Sequence, residues 1–337
     1  MKAQFMEEQM HSFSIPERIQ WLHAQFKSPE INGTKEPISI YNFRWSYILF
    51  LLAAIGSALL GFWKPGTVWI GILIAVMAIR EFYHPFVSRF KGSPAENLYY
   101  TIPARSKEVQ KLYLISTYAT DNVLEKPQSL NIRQILIIHH LAFISFGLIS
   151  VVASFSGIKV LWFAALIPLL VFFGWSLTFS VGKDRDAFFN CTVLADLKNL
   201  LTKARPVSTS VTFAFLGSRS LHSGAYHLLP LLKDTSKITY VVNLTDHSSG
   251  NDPFIISKEG SLFPQESDST LVELLQIVAT EKGIAIDQTK TADYTEIFPF
   301  LTKNIKAVSI AIPQANSSEH HRNLRELLAG LIRKIEH

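Results

Sequence analysis

Apolar and polar positions follow two different patterns along this chain. Four runs carry no charged residue or almost none, at 46–63, 65–79, 134–158 and 160–182. About 20 apolar residues cross the ~30 Å hydrocarbon core of a bilayer, and the second run reaches that length only with Phe82, Tyr83 or the preceding turn. Short connections at Lys64-Pro65-Gly66 and Lys159 join the runs in pairs. We therefore predict four transmembrane α-helices in two hairpins.

The remainder of the chain alternates between helical and strand periodicity. Leucine and valine recur on one helical face in three segments, at 188–203, 268–282 and 319–336, and a further helical stretch passes through Tyr226 and Leu232. Buried strands are predicted at 111–117, 211–216, 238–244 and 307–312. This alternation predicts an α/β fold with a mostly parallel sheet sandwiched by helices.

The N-terminal segment carries a helix signal of its own. Ser14 and Glu17 form a capping-box pattern around Pro16, and apolar residues from Ile15 to Phe26 follow on one face. The apolar face of such a helix could pack on the membrane surface, on a partner protein, or on the soluble domain of the same chain.

Composition and charge narrow the class of protein. The chain has 337 residues, of which 48% are hydrophobic and 18% charged, with a net charge of +5 and one cysteine. Cys191 alone allows neither an intrachain disulfide nor a multi-cysteine zinc site. Segment 80–133 holds eight basic and five acidic residues, whereas the opposite loops offer only Lys64 and Lys159. The positive-inside rule then predicts a multi-pass protein of a bacterial inner membrane with its soluble domain in the cytoplasm.

These patterns divide the chain into five segments. They are an N-terminal cytoplasmic amphipathic segment at 1–44, a first transmembrane hairpin at 45–82, the first part of an α/β domain at 95–130, a second hairpin at 134–182, and the remainder of the α/β domain at 183–337. Each hairpin returns to the side of the membrane where it began, so its insertion into a soluble domain is topologically allowed.

Several weak motifs in the right order resemble the zinc aminopeptidases of the di-zinc exopeptidase fold, whose relatives include glutaminyl cyclases, nicastrin and nicalin. Asn97-Leu98 and Ile102-Pro103 are similar to the opening "N-L-x-A-x-(I/L)-P-G" of this family, and Pro299-Phe300 is similar to its late "P-F". The resemblance covers roughly 95–122 and 183–337. It implies an aminopeptidase-like fold for the α/β domain.

The resemblance also implies where two zinc ions would be held. Family members use two histidines, three acidic ligands and a glutamate as general base. The matching positions here are Tyr118 and Thr120 for "A-H-x-D", Asp186 for the bridging aspartate, Ser218 and Arg219 for the two glutamates, Thr245 for the aspartate of "N-L-D", and Ala315 in the last ligand motif. Only Asp186 retains a ligand, and an arginine repels metal ions and takes up no proton. Phe188 and Phe189 replace small residues beside Asp186.

The resemblance therefore implies a pseudopeptidase without a metal or other cofactor, in which the seven positions are vestiges of a site. We expect a scaffold or accessory subunit of a membrane protein complex. The expected partners are other membrane proteins and anionic lipid at the cytoplasmic face, and no nucleic acid is expected.

Two other functions stay open. A rearranged metal site formed by Asp186, Asp246, His247, His320 and His321 would make the protein a membrane-bound zinc aminopeptidase. His139 and His140 lie inside the third apolar run, where polar side chains are costly and often functional. They would suit a small transport or redox subunit, although a helix–helix hydrogen bond explains them as well.

Overall fold

The computed structural model describes residues 13–40, 43–83, 93–119, 122–125, 132–176, 180–183, 187–218, 222–232, 237–247, 252–260, 264–291, 294–313 and 318–336. The chain divides into two compact units. The α/β unit consists of residues 1–38, 94–121 and 183–337, and the helical unit consists of 39–93 and 122–182.

Eleven strands occur in the described part of the chain. They are β1 (Asn32–Ile40), β2 (Ser93–Ile102), β3 (Gln110–Thr117), β4 (Asn122–Glu125), β5 (Ser180–Lys183), β6 (Thr209–Leu216), β7 (Ile238–His247), β8 (Phe254–Glu259), β9 (Gln265–Glu266), β10 (Asp287–Thr291) and β11 (Lys306–Pro313). One sheet has the order β1-β2-β6-β3-β7-β11-β8-β10, with β9 paired to β8, and β4 pairs with β5 separately.

Parallel pairing is confined to part of the large sheet. β3 runs parallel to β6 and β7, β7 to β11, and β8 to β10. β2 is antiparallel to β6, and β8 is antiparallel to β11 and β9. The sheet is therefore mixed, with the predicted parallel arrangement at its centre.

The helices follow the same alternation. They are α1 (Ile15–Phe26), α2 (Phe43–Trp63), α3 (Val68–Tyr83), α4 (Ile132–Ser156), α5 (Leu161–Ala164), α6 (Ile167–Ser176), α7 (Ala187–Lys203), α8 (Ser223–Leu228), α9 (Ser269–Lys282), α10 (Phe298–Leu301) and α11 (Ser318–Ile335). The predicted helices at 188–203, 268–282 and 319–336 are confirmed to within one residue at each end.

Two apolar cores cover the two faces of the large sheet. The larger core joins one face to α1, α7, α9 and α11, with residues such as Leu22, Leu194, Leu275 and Leu328 at its centre. The smaller core joins the opposite face to α8 and α10 through Leu228 and Phe300. Helices thus lie on both faces, as the alternating pattern predicts.

Helix α1 belongs to the α/β unit. Ser14 and Glu17 form the predicted capping box, and Leu22 and Phe26 are fully buried in the larger core. The ring of Phe26 stacks on Tyr100 at 4.6 Å between centroids. Of the three surfaces on which this helix could pack, the structure therefore selects the soluble domain of the same chain.

The helical unit has an aromatic and small-residue core. Tyr47, Phe143, Phe146 and Phe172 pack together with alanines from α2, α3 and α4. The Tyr47 hydroxyl donates a hydrogen bond of 2.9 Å to the carbonyl oxygen of Leu169, which ties α2 to α6.

The expectation of four long membrane helices needs correction. By length and composition, two described helices are able to cross a membrane, over Ser46–Trp63 and Ile137–Ser156. The predicted single helix at 160–182 is wrong, because the chain forms α5, a turn, α6 and then β5. Pro168 has no amide hydrogen to donate to the carbonyl of Ala164, and its ring crowds that carbonyl, which explains the break between α5 and α6.

Candidate functional site

Three of the seven positions predicted to be vestiges of a metal site lie along one edge of the sheet, at the carboxyl ends of parallel strands. Tyr118 follows β3, Ser218 follows β6, and Thr245 lies near the end of β7. Register pairs the last residue of β3 with Leu216 on β6, and Thr245 with Ala311 on β11. Ligand sites of α/β folds occur at such an edge. The other four positions, Thr120, Asp186, Arg219 and Ala315, lie outside the described residues.

Tyr118 is a structural residue in this arrangement. Its side chain is fully buried in the larger core, and its hydroxyl donates a hydrogen bond of 2.7 Å to the carbonyl oxygen of Glu96. Its amide donates to the carbonyl oxygen of Leu216 over 3.2 Å. The side chain therefore joins β3 to the segment of β2 beside it, and it offers no imidazole to a metal ion.

Arg18 of α1 lies beside Tyr118. The residue is only 2% exposed, and its Nη1 and Nε atoms donate hydrogen bonds to the carbonyl oxygens of Tyr118 and Phe13, at 3.0 and 3.1 Å. The guanidinium also lies 5.1 Å from the ring centroid of Phe188. The sequence gives little signal for this role, because an arginine in an amphipathic helix normally belongs to its polar face.

Aromatic side chains fill the space next to Arg18. The ring of Phe188 lies 5.0 Å from Trp21 and 6.3 Å from Phe13, both in edge-to-face geometry. Phe188 and Phe189 are buried at the start of α7. These two rings stand where the sequence resemblance implies small residues, and both pack into the larger core.

The loop after β6 is held by Asn97. The Asn97 Oδ1 atom accepts a hydrogen bond of 3.0 Å from the amide of Gly217, and Nδ2 donates one of 2.9 Å to the carbonyl oxygen of Gly224. Ser218 is fully buried, and its Oγ accepts a hydrogen bond of 2.8 Å from Ser223. Any Cβ at position 217 would overlap the carbonyl oxygen of Glu96, so only glycine fits there.

The residues of the alternative metal site are only partly described. His321 Nε2 lies 3.7 Å from Asp196 Oδ2, and its ring lies 5.7 Å from that of Phe189. His320 lies in the first turn of α11. Asp246 and His247 belong to β7, but their side chains are outside the described set, as is Asp186. Among the described side chains, no group of three or more histidine, cysteine or acidic residues could hold a metal ion.

His139 and His140 are buried within the helical unit. The ring of His139 lies 5.0 Å from Phe143, 5.5 Å from Phe172 and 5.3 Å from His140. Tyr47 completes this aromatic environment at 5.9 Å. The surroundings are those of a packed helix contact.

A second polar cluster, which the sequence did not indicate, lies on the α10 face of the sheet. Thr295 Oγ1 donates a hydrogen bond of 2.6 Å to Glu259 Oε2 and lies 2.7 Å from Ser309 Oγ. Asn243 Nδ2 is 3.1 Å from Ser309 Oγ and 3.2 Å from Glu296 Oε2. All five residues are buried. We call them the buried acid network, because hydrogen bonds through Thr295, Ser309 and Asn243 connect the carboxyl groups of Glu259 and Glu296.

Burial determines the protonation of this region. It raises the pKa of Glu259 to about 8, with a smaller contribution from nearby Glu296, while hydrogen bonds from Thr295 act in the opposite direction. Burial likewise lowers the pKa of His222, after β6, to about 4. Glu259 is therefore mainly a neutral acid at pH 7 and His222 a neutral imidazole. Because substrates have no access to fully buried groups, we assign the network a structural role.

Comparison with known proteins identifies the fold. No protein-family profile matches the sequence, and no curated protein matches it. The glutaminyl cyclase of Fimbriiglobus ruber superposes with a TM-score of 0.52 at 9% identity, covering 95% of this chain and 87% of that protein. BSAP, a zinc aminopeptidase from Bacillus subtilis, gives a TM-score of 0.43 at 11% identity, covering 73% of this chain and 51% of that protein. The LapA aminopeptidase of Legionella pneumophila gives a TM-score of 0.41 at 9% identity, covering 98% of this chain and 75% of that protein.

At these identities the similarity concerns the fold alone. The mixed sheet of this chain, with helices on both faces, fits such a fold. The α/β unit of this chain has an aminopeptidase-like fold.

Proposed function

We propose that this protein is a membrane-anchored pseudopeptidase that acts as a scaffold or accessory subunit of a membrane protein complex. One observation carries the proposal: motif residues that build the backbone are retained, and those that would bind metal are replaced. Asn97 matches the opening motif of the resembling family, and Gly217 matches the glycine that precedes its two glutamates. The Asn97 side chain joins Gly217 to Gly224 through hydrogen bonds. Tyr118 and Ser218 occupy ligand or base positions, and both are buried with their hydroxyls in hydrogen bonds.

The charge next to the vestigial edge also supports a non-catalytic role. Arg18 is buried, and its guanidinium donates to the carbonyl oxygen of Tyr118 over 3.0 Å. A permanent positive charge in such a desolvated position disfavours a pair of divalent cations nearby. The combined positive charge of the arginine and the metal ions would have to be neutralised by acidic ligands, and Tyr118, Ser218 and Thr245 supply none.

Exposed apolar surface supports the membrane anchor. Side chains such as Leu52 of α2, Val76 of α3, Leu148 of α4 and Val171 of α6 are more than half exposed. Contiguous apolar surface on several helices is unfavourable in water and suits a lipid environment. We propose that α2, α3, α4 and the broken α5–α6 segment all cross the bilayer, with the α/β unit in the cytoplasm of a bacterium.

The proposed partners follow from this architecture. An aminopeptidase-like domain without its metal ligands still has an extensive surface for protein contacts. We propose other membrane proteins as partners, together with anionic lipid at the cytoplasmic face.

Metal content tests the non-catalytic assignment. The full chain, purified in mild detergent and incubated with zinc, should retain less than stoichiometric metal and should not hydrolyse aminoacyl substrates. Stoichiometric zinc that disappears in Asp186→Asn would contradict the proposal and favour the peptidase with rearranged ligands.

Co-purification tests the scaffold role. Tagged protein extracted from its native membrane should bring down a defined set of membrane proteins at constant ratio. A chain that migrates alone and as a monomer in every mild detergent would contradict the role.

Cysteine labelling tests the topology. In a Cys191→Ala background, cysteines introduced at Lys64 and Lys159 should react with an impermeant maleimide on intact cells. A cysteine at Ser106 should react only after permeabilisation, and the opposite pattern would reject the proposed orientation.

A further inference from the structure

A basic edge lies at the amino ends of the central strands, opposite to Tyr118. We define it as residues 105–109, 203–207 and 237–238. Backbone hydrogen bonds hold the first two segments together: the amides of Arg105 and Ser106 donate to the carbonyl oxygens of Pro206 and Val207, each over 2.9 Å. Ile238 is brought alongside because it pairs with Gln110, the first residue of β3. The edge is therefore a defined surface of the α/β unit.

Three aliphatic side chains are exposed in the middle of this edge. Val109 is 50% exposed, Val207 53% and Ile238 46%. They come from three neighbouring strand ends, whereas single exposed aliphatic residues are usually scattered. The edge thus presents an apolar centre to solvent.

Basic residues flank the exposed aliphatic residue in each of the three segments. The edge contains five basic residues, Arg105, Lys107, Lys203, Arg205 and Lys237, and one acidic residue, Glu108. Glu108 Oε1 already binds Lys237 Nζ at 2.7 Å. The adjacent Glu336 Oε1 accepts a hydrogen bond of 3.0 Å from the amide of Ser208. The basic side chains consequently outnumber the acids available to neutralise them.

Arg105 and Lys107 lie at the opposite end of β3 from Tyr118. They precede β3, whose other end leads to Tyr118, and the eight residues of that strand span roughly 25 Å at ~3.3 Å each. Their charge therefore belongs to the far end of the central strands.

We infer that the basic edge docks an acidic segment of a partner protein, with apolar side chains of that segment placed on Val109, Val207 and Ile238. An apolar centre within a charged rim is typical of protein interfaces, and the sign of the rim selects a negatively charged partner. This inference rests on the proposed scaffold function, which it deepens by naming a surface and the chemistry of the segment it binds.

The composition of the edge disfavours the other occupants. Its three segments contain no aromatic residue, so it lacks the stacking groups that single-stranded nucleic acids use, and it lacks the tryptophan, phenylalanine and leucine of interfacial membrane anchors. A second copy of this chain would bring a second positive edge, and like charges oppose such a two-fold contact.

Photocrosslinking of the full chain in its native membrane tests the inference. Val207 is replaced by p-benzoylphenylalanine, and the captured peptide is identified by mass spectrometry. Ile277, an exposed aliphatic residue of α9, is replaced in the same way as the control position. The second comparison is between the double variants Arg105→Glu/Lys107→Glu and Lys282→Glu/Lys290→Glu, which reverse two exposed charges on and off the edge.

The inference expects one dominant product from position 207, formed with a peptide rich in aspartate or glutamate around apolar residues. Its yield should fall at least tenfold in Arg105→Glu/Lys107→Glu and stay unchanged in Lys282→Glu/Lys290→Glu. Capture of lipid, nucleic acid, a basic peptide or a second copy of this chain overturns the inference. A product whose yield is unchanged in Arg105→Glu/Lys107→Glu also overturns it, and so does a yield no higher than that of the Ile277 control. If crosslinking gives one of these contradicting results but the complex still co-purifies, the scaffold function stands without this edge. If no complex co-purifies from the wild type, the scaffold function itself fails.

Discussion

The guanidinium of Arg18 donates a hydrogen bond from Nη1 to the carbonyl oxygen of Tyr118 over 3.0 Å, across 100 positions of sequence. The contact joins the N-terminal helix to the end of a central strand. The helix that looked available for a membrane or a partner is thereby part of the domain core, and the same contact places a cation next to Tyr118.

Replacing Arg18 should loosen helix α1. In Arg18→Ala the buried carbonyl oxygen of Tyr118 and the part-buried one of Phe13 lose a charged donor, which costs about 2 kcal/mol of local stability. Hydrogen exchange of the peptide covering 13–26 should therefore speed up by more than tenfold in the detergent-purified chain. Arg322→Ala, at an exposed position on α11, is the matched control and should leave exchange unchanged. Equal exchange in both variants would show that the buried contact is not stabilising.

Tyr118→Phe removes a single hydroxyl from the core. The carbonyl oxygen of Glu96 then loses its 2.7 Å donor, so we expect a loss of about 1 kcal/mol in unfolding free energy, measured by pulse proteolysis in urea. Metal content should not change, because the hydroxyl has a structural role. Tyr113→Phe, on the strand that Tyr118 follows, tests whether loss of another nearby tyrosine hydroxyl gives the same result. A fall in bound zinc on Tyr118→Phe would contradict the structural assignment.

Glu259 should make the α/β unit less stable as the pH rises. Its pKa is about 8 in the folded state, against the ordinary 4.5, because of burial. Between these two values the folded state holds a proton that the unfolded state has released, so the unfolding free energy falls with increasing pH. The fall is at most about 1.4 kcal/mol per pH unit and levels off above pH 8.

Glu259→Gln should flatten this dependence between pH 5 and pH 8, since the amide carries no titrating proton and still accepts from Thr295. The urea midpoint at several pH values measures the effect. Glu273→Gln, at an exposed position on α9, should retain the wild-type slope. Parallel curves for the wild type and Glu259→Gln would contradict the prediction.

Two glycines of α2 should respond in opposite ways to the same substitution. A Cβ at Gly61 would overlap the indole of Trp162, whereas a Cβ at Gly56 meets no atom within 4 Å. Gly61→Ala should therefore destabilise the helical unit by about 1–3 kcal/mol through overpacking. The loss is measured as a lower thermal unfolding midpoint in detergent. Gly56→Ala should be neutral or slightly stabilising, because alanine is the better helix former. A similar loss at both positions would reject the close contact with Trp162.

Prediction from sequence was accurate where burial on a strand or on one helical face leaves an unbroken apolar pattern. β3, β6, β7 and β11 were found in this way, and so were α7, α9 and α11. β1 and β10 were missed because they read NGTKEPISI and DQTKT, with polar residues at nearly every exposed position. Outer strands of a sheet bury too little surface to need an apolar sequence. The fourth apolar run was assigned to one helix because hydropathy does not register the break at Pro168.

The sequence by itself determined which segments must be buried, because burial leaves a pattern of residue type and spacing. Its match of side chains to the metal positions of the resembling family stays a prediction. Tertiary structure alone decided that Arg18 lies beside Tyr118, that the Asn97 side chain holds Gly217, and that Glu259 is buried with Thr295. It likewise gathered Val109, Val207 and Ile238 at one edge. These relations join residues far apart in the chain, and they arise because the sheet brings distant strand ends within hydrogen-bonding distance, which no local pattern encodes.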